Sequence, residues 1–123
     1  MTTFTKFSDC NTAEVKRDAV DVTISGTPEH TSWPYFVSGD GQTRSGVWVC
    51  TAGVFRGPMN NQLEFCHILE GEALIKTEDG QEYTVRTGDA FVMDNGLQPV
   101  WHVQKFVKKH FVIVAVPPLD TLE

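Results

Sequence analysis

The chain has 123 residues, 41% of them hydrophobic, a length that suits one folded domain spanning 1–123 and leaves no room for a second. Sixteen acidic residues against ten basic ones give a net charge of −6, which disfavours a phosphate backbone, so nucleic acid is not an expected partner. Cys10, Cys50 and Cys66 are an odd number at unrelated spacings, neither a disulfide framework nor a zinc pattern, and they fit a reducing compartment. No stretch approaches the roughly 18 apolar residues of a membrane span, and the N-terminus lacks the apolar run of a signal peptide. The expected location is the cytoplasm, with no membrane partner.

Residues 1–20 are the least patterned. Asn11-Thr-Ala-Glu14 has capping-box spacing and predicts a short helical turn near 12–18. From Ala19 onward the pattern is that of strands. Residues 19–25 alternate apolar and polar and stop at Gly26-Thr-Pro28, and Trp33–Val37 is a short aromatic strand before the turn at 38–41. Strands are predicted at 45–51 and 54–59 on either side of Ala52-Gly53, and at 63–69 and 73–77 on either side of Glu70-Gly71-Glu72. Asp79-Gly80 is the strongest hairpin signal and leads into a strand at 81–86. Strands at 90–93, 99–105 and 108–116 complete the set, and Pro117-Pro118 ends regular structure. Short strands with a turn every eight to twelve residues, and no helix between them, predict an all-β antiparallel roll or barrel with a ligand site at one interior end.

Two segments carry a family resemblance. Residues 64–71 read EFCHILEG, a glutamate followed by six residues and a glycine, and residues 88–96 read GDAFVMDNG. The first resembles the end of the first cupin motif. The second resembles the second motif, with Asp94 where a proline usually stands. With Gly46-Val-Trp-Val, Gly53-Val-Phe-Arg and Lys109-His-Phe-Val-Ile, the resemblance covers residues 40–116 and is to the small single-domain cupins grouped with the (S)-ureidoglycine aminohydrolase cupin domain. It implies an antiparallel double-stranded β-helix, the jelly-roll barrel. Metal-holding cupins typically place two histidines shortly before the glutamate and a third after the later turn. Here residues 53–63 read GVFRGPMNNQL, and near the third position Gln98 is the nearest ligand-capable side chain, so neither a metal nor any other cofactor is expected.

Glu64 is the leading site residue, because a carboxylate within an apolar strand must be paired, protonated or bound to something. Alternation puts Glu64, Cys66 and Ile68 on one face and Phe65, His67 and Leu69 on the other. The resemblance assigns the Glu64 face to the interior. Glu64 is then a pocket acid or base, or else a structural carboxylate tied to backbone or to Arg56. Cys66 shares the face, chiefly as a small core residue, since His67 points away from it. Trp48, Phe55, Met59, Met93 and Trp101 are the predicted apolar walls, with Gln98 as an orienting amide and Tyr35 as a hydroxyl from a neighbouring strand. His30, His67, His102 and His110 lack ligand spacing. Glu64, Cys66, Gln98 and one histidine remain the minor route to an unusual metal site. Lys105, Lys108, Lys109 and His110 form the one basic cluster and are read as a solvated strand face. The exposed trio Phe65, His67 and Leu69 predicts a two-fold homodimer.

The resulting expectation is a cupin pocket that binds, or binds and turns over, a small polar metabolite of the ureido, amino or carboxylate class. In catalysis Glu64 would move the proton while Trp48, Phe55 and Trp101 exclude water. A metal-free sensing or carrier module and an atypical metal-dependent hydrolase or isomerase are the alternatives.

Overall fold

A computed structural model describes residues 2–17 and 22–119. After a 3-10 turn at Phe7–Asp9 it contains β1 (Val15–Arg17), β2 (Thr23–Gly26), β3 (His30–Val37), β4 (Thr43–Arg56), β5 (Gln62–Lys76), β6 (Glu82–Arg86), β7 (Ala90–Met93) and β8 (Val100–Ala115). Every pairing among these strands is antiparallel. The all-β jelly roll expected from the sequence is the fold observed.

Three long strands, β4, β5 and β8, build it. β8 lies between the other two along its whole length. The early half of β4 (43–51) and of β5 (62–71) pairs with the late half of β8, and β3 and β7 extend this layer at its two sides. The late half of β4 and of β5 pairs with the early half of β8, and β2 and β6 extend the second layer. The ladder therefore folds over on itself. Register shifts between Thr51 and Gly53, Ile68 and Glu70, and Gly71 and Leu74 mark the bends, because an unpaired extra residue kinks a strand and increases its twist.

These bends explain a difference from the predicted elements. Ala52-Gly53 and Glu70-Gly71-Glu72 were expected to separate strands, as was the gap at 106–107. They are instead bulges within β4 and β5 and the corresponding bend of β8. The expected helical turn near 12–18 is also corrected. Val15–Arg17 is extended and pairs with β3 at His30–Ser32, an edge-strand ladder that overrides the local capping signal. Residues 18–21 lie outside the described residues, so of the strand expected at 19–25 the part seen is β2. The Asp79-Gly80 hairpin is present, closed by the Thr77 amide donating to Gln81 O at 3.0 Å.

Between the layers lies one apolar cluster that includes Cys50, Ile68, Ile75, Val85, Trp101, Val103 and Val107. Ile68 and Val107 are fully buried, worth about 1.5–3 kcal/mol each in removal from water. On the outer face Phe7 packs edge-on against Tyr35 and His110, with ring centroids 5.0 and 5.1 Å away. Among the described residues no helix is long and apolar enough to cross a membrane.

Candidate functional site

Alternation along β5 turns Glu64 and Cys66 inward, as expected, and brings Glu64 opposite Met93 on one side and Ile113 on the other. The same alternation along β8 turns Lys109, Phe111 and Ile113 to that side. Lys109 and Glu64 are only 5% and 6% exposed, and Lys109 Nζ donates to Glu64 Oε2 at 2.6 Å. This corrects two expectations. The basic run at 105–110 is not uniformly solvated, because a strand period places Lys109 in the interior. And Glu64 is tied to Lys109, not to Arg56.

The pair is closely framed. Lys109 Nζ stands 4.6 Å from the Trp48 ring centroid and 4.7 Å from that of Trp101, and it also donates to Cys66 Sγ at 3.4 Å. An ammonium between two indole faces, out of water, gains about 2 kcal/mol or more from the ring quadrupoles. The Cys66 thiol in turn donates to Glu64 Oε2 at 3.3 Å. Burial works against the Lys109 ammonium, but the adjacent Glu64 carboxylate, with Cys66, more than offsets it, and its pKa is raised above the ordinary lysine value. Lys109 is thus a fixed cation and a poor nucleophile. Burial, reinforced by Glu64, pushes the Cys66 thiol up to about 12, so it serves as a neutral packing and hydrogen-bonding group.

The pair lines an open-mouthed cavity of about 490 Å³, within the range of about 300–1,000 Å³ typical of small-molecule sites. Of the predicted walls, Trp48, Phe55, Met59, Met93 and Trp101 all line it, and Phe111 and Ile113 join them. Phe55 stacks on Trp101 at 6.0 Å with the planes 11° apart. Cys66 lies behind the lining, touching the ion pair. Gln98 and Tyr35 are not part of the wall. The Gln98 amide donates to Asn60 Oδ1 at 3.3 Å, and Tyr35 packs against Phe7 on the outer face. Gln98 is thus engaged with Asn60 and lies outside the cavity wall.

Sequence reasoning missed several lining residues. His30 is 7% exposed, its ring meets Phe55 edge-on at 4.6 Å, and its buried Nε2 has no hydrogen-bond partner. Burial, together with Arg17 and Lys109, lowers its pKa, so the ring is held neutral. Arg17, Arg44 and Arg56 line the same cavity. Arg44 and Arg56 sit near opposite ends of β4 and meet at one cavity because the strand curls around it. Lys109 was legible from alternation with Val107 and Phe111. His30 and Arg17 were not, since their place depends on the β1–β3 pairing.

Oε1 of Glu64 accepts no hydrogen bond from the described residues, whereas Oε2 takes both Lys109 and Cys66. One carboxylate oxygen is thus free for a ligand. Among the described residues no group of three or more His, Cys, Asp or Glu side chains is placed to share a cation. The positive charge beside Glu64 is supplied by Lys109.

Residues 37–111 match the model of the EutQ-like cupin domain. Among solved structures, a protein of unknown function of the DUF861 family from Pseudomonas syringae pv. tomato is 24% identical with a TM-score of 0.73. The similarity covers 83% of this chain and 44% of that one, so this chain spans less than half of that protein's length. A putative ethanolamine utilization protein Q from Salmonella typhimurium is 19% identical, TM-score 0.62, covering 79% and 76% of the two chains. A predicted oxalate decarboxylase from Thermotoga maritima is 14% identical, TM-score 0.63, covering 93% and 100%. These three likenesses speak to the fold. No curated protein matches. With the family model spanning 75 of its 123 residues, the chain belongs to the EutQ-like cupin family.

Proposed function

We propose that this protein binds a small polar metabolite of the ureido, amino or carboxylate class in the cavity floored by Glu64 and Lys109, and that it does so without a metal. One observation carries the reading: a buried carboxylate, anchored through one oxygen, presents the other to a ring-lined cavity. A group so held loses no freedom when a ligand docks, which is the preorganisation that tight sites require. Lys109 supplies fixed positive charge, and the indoles exclude water around it. Turnover, if the site supports it, would use Glu64 as the proton acceptor. The buried free thiols Cys50 and Cys66 accord with a reducing cytoplasm.

The test is a thermal-shift series with ureides, amides, amino acids and small carboxylates. A ligand at a hundred times its Kd stabilises the native state by about 2.7 kcal/mol, a shift of several degrees for a chain of this size. Glu64→Gln should abolish the shift. If no compound in the series moves the midpoint, the pocket reading fails.

A second copy of the chain is the proposed cover for the outer face of β5. Phe65 is 41% exposed and faces Val92, which is 61% exposed, across the β5–β7 ladder, with Val112 on its other side. Light scattering on the eluting protein should give twice the chain mass, and Phe65→Lys should give the single mass. A wild-type monomer at tens of micromolar would discount this face as a dimer contact.

A further inference from the structure

We infer that the ligand is a small carboxylate that also carries an N–H or O–H donor, its anion held by the arginines at the cavity mouth and its donor received by Glu64 Oε1. This rests on the binding reading above and narrows it.

The charge around the cavity is opposite to that of the chain. Among the described residues, Arg17, Arg44, Arg56 and Lys109 line it against the carboxylate of Glu64, an excess of three positive charges in a protein of net charge −6. Lys109 is neutralised by Glu64, but no side-chain ion pair or hydrogen bond engages the three arginines among the described residues. By contrast Arg86, away from the cavity, has Glu72 at 3.9 Å. Among the described residues, three guanidinium groups from β1 and the two ends of β4 thus line one opening with no side-chain counter-ion. Guanidinium matches the planar carboxylate through paired N–H donors.

Register sets the scale of the ligand. Arg44, Ile113 and Glu64 are successive partners across β4, β8 and β5, so with strands about 4.8 Å apart the Arg44 and Glu64 backbones are roughly 10 Å apart. Both side chains serve the space between, so only a few atoms separate anion from donor in a molecule that bridges them. His30 stands in the same wall, with its buried Nε2 unpartnered.

Titration calorimetry with N-carbamoylglycine, N-carbamoylalanine, their primary amides and the phosphonate analogue of the first tests this. The acids should bind at least tenfold more tightly than the amides. An Arg44→Gln/Arg56→Gln variant should lose at least tenfold in affinity for the acids and leave the amides unchanged. Both arginines are exposed, so the fold survives, as its unchanged thermal midpoint would show. Equal binding of acid and amide, or acid affinity unmoved by the arginine changes, overturns the inference while leaving the pocket reading intact. Tighter binding of the phosphonate overturns the carboxylate assignment. Failure of acids and amides alike overturns this inference, and the thermal-shift series above then decides the pocket reading by itself.

Discussion

Lys109→Met should destabilise the fold by about 3–5 kcal/mol, because it strands the Glu64 carboxylate in the interior without its ammonium. The side chain is replaced by one of similar length that still fills the space between Trp48 and Trp101, so the loss reports charge and not a cavity. Urea denaturation gives the number. The companion Glu64→Leu/Lys109→Met variant should recover most of it, since apolar groups of similar volume commonly replace a buried ion pair with no net loss. A double variant as unstable as the single one would show that packing and not charge was disturbed. A single variant as stable as wild type would show that the pair is hydrated in solution.

The pH dependence has a definite sign. Lys109 has its pKa raised in the folded state above the ordinary value of 10.5, so its contribution is complete below 10.5. It is lost only as pH rises through the higher folded value. The contribution of the pair to wild-type stability should therefore persist to about pH 10 and fall above it, as urea denaturation of the wild type across that range would show. Wild-type stability unchanged well above pH 10.5 accords with the raised value, whereas a loss beginning below pH 10 would assign the effect to another group. The double variant also separates stability from function: it should be well folded and fail to bind, which is the behaviour of a pair kept for recognition.

What could be read from the sequence follows from which signals are local. Period-two alternation grouped Glu64, Cys66 and Ile68 on one face, the cupin resemblance assigned that face to the interior, and all three are buried; β7 appears at the predicted 90–93, bounded by turn residues on both sides. The aromatic and methionine walls were equally legible, because large apolar residues in a small roll have one interior to share. Alternation failed where it was not applied. Lys105, Lys108, Lys109 and His110 were grouped as a run of charge, although Lys109 falls in phase with Val107 and Phe111, both buried. Bulges defeated the strand boundaries, since a glycine at a bend inside a strand looks the same in sequence as one in a turn. The arginines at the mouth come from both ends of a curled strand and from an edge strand, and no spacing rule links them. Gln98 was placed by its nearness to a motif and Tyr35 as a hydroxyl from a neighbouring strand, and both stand outside the cavity wall.

Gly71→Ala is the second substitution of large expected effect, at least about 3 kcal/mol and near the limit of what single changes produce. Gly71 has φ +79°, where a side chain alone brings about 1–2 kcal/mol of strain. Its added Cβ would also stand 2.1 Å from the Phe106 carbonyl oxygen, and backbone cannot swing aside as a side-chain tip does. Gly88 separates the two causes. It has φ +95° with nothing within 4 Å of its would-be Cβ, so Gly88→Ala should lose only the strain. Gly39→Ala, with no such φ and open space around it, should be close to neutral. Chemical denaturation of the three variants should rank them in that order. Equal losses at Gly71 and Gly88 would mean that β8 yields at Phe106 with little resistance. The consequence reaches the site, because Gly71 is paired with Val107, two residues before Lys109 on the strand that carries it. Whatever part of Gly71→Ala remains folded should have β8 displaced at that crossing. Its ligand-induced thermal shift should then be smaller than that of Gly88→Ala, although no cavity-lining residue has been changed.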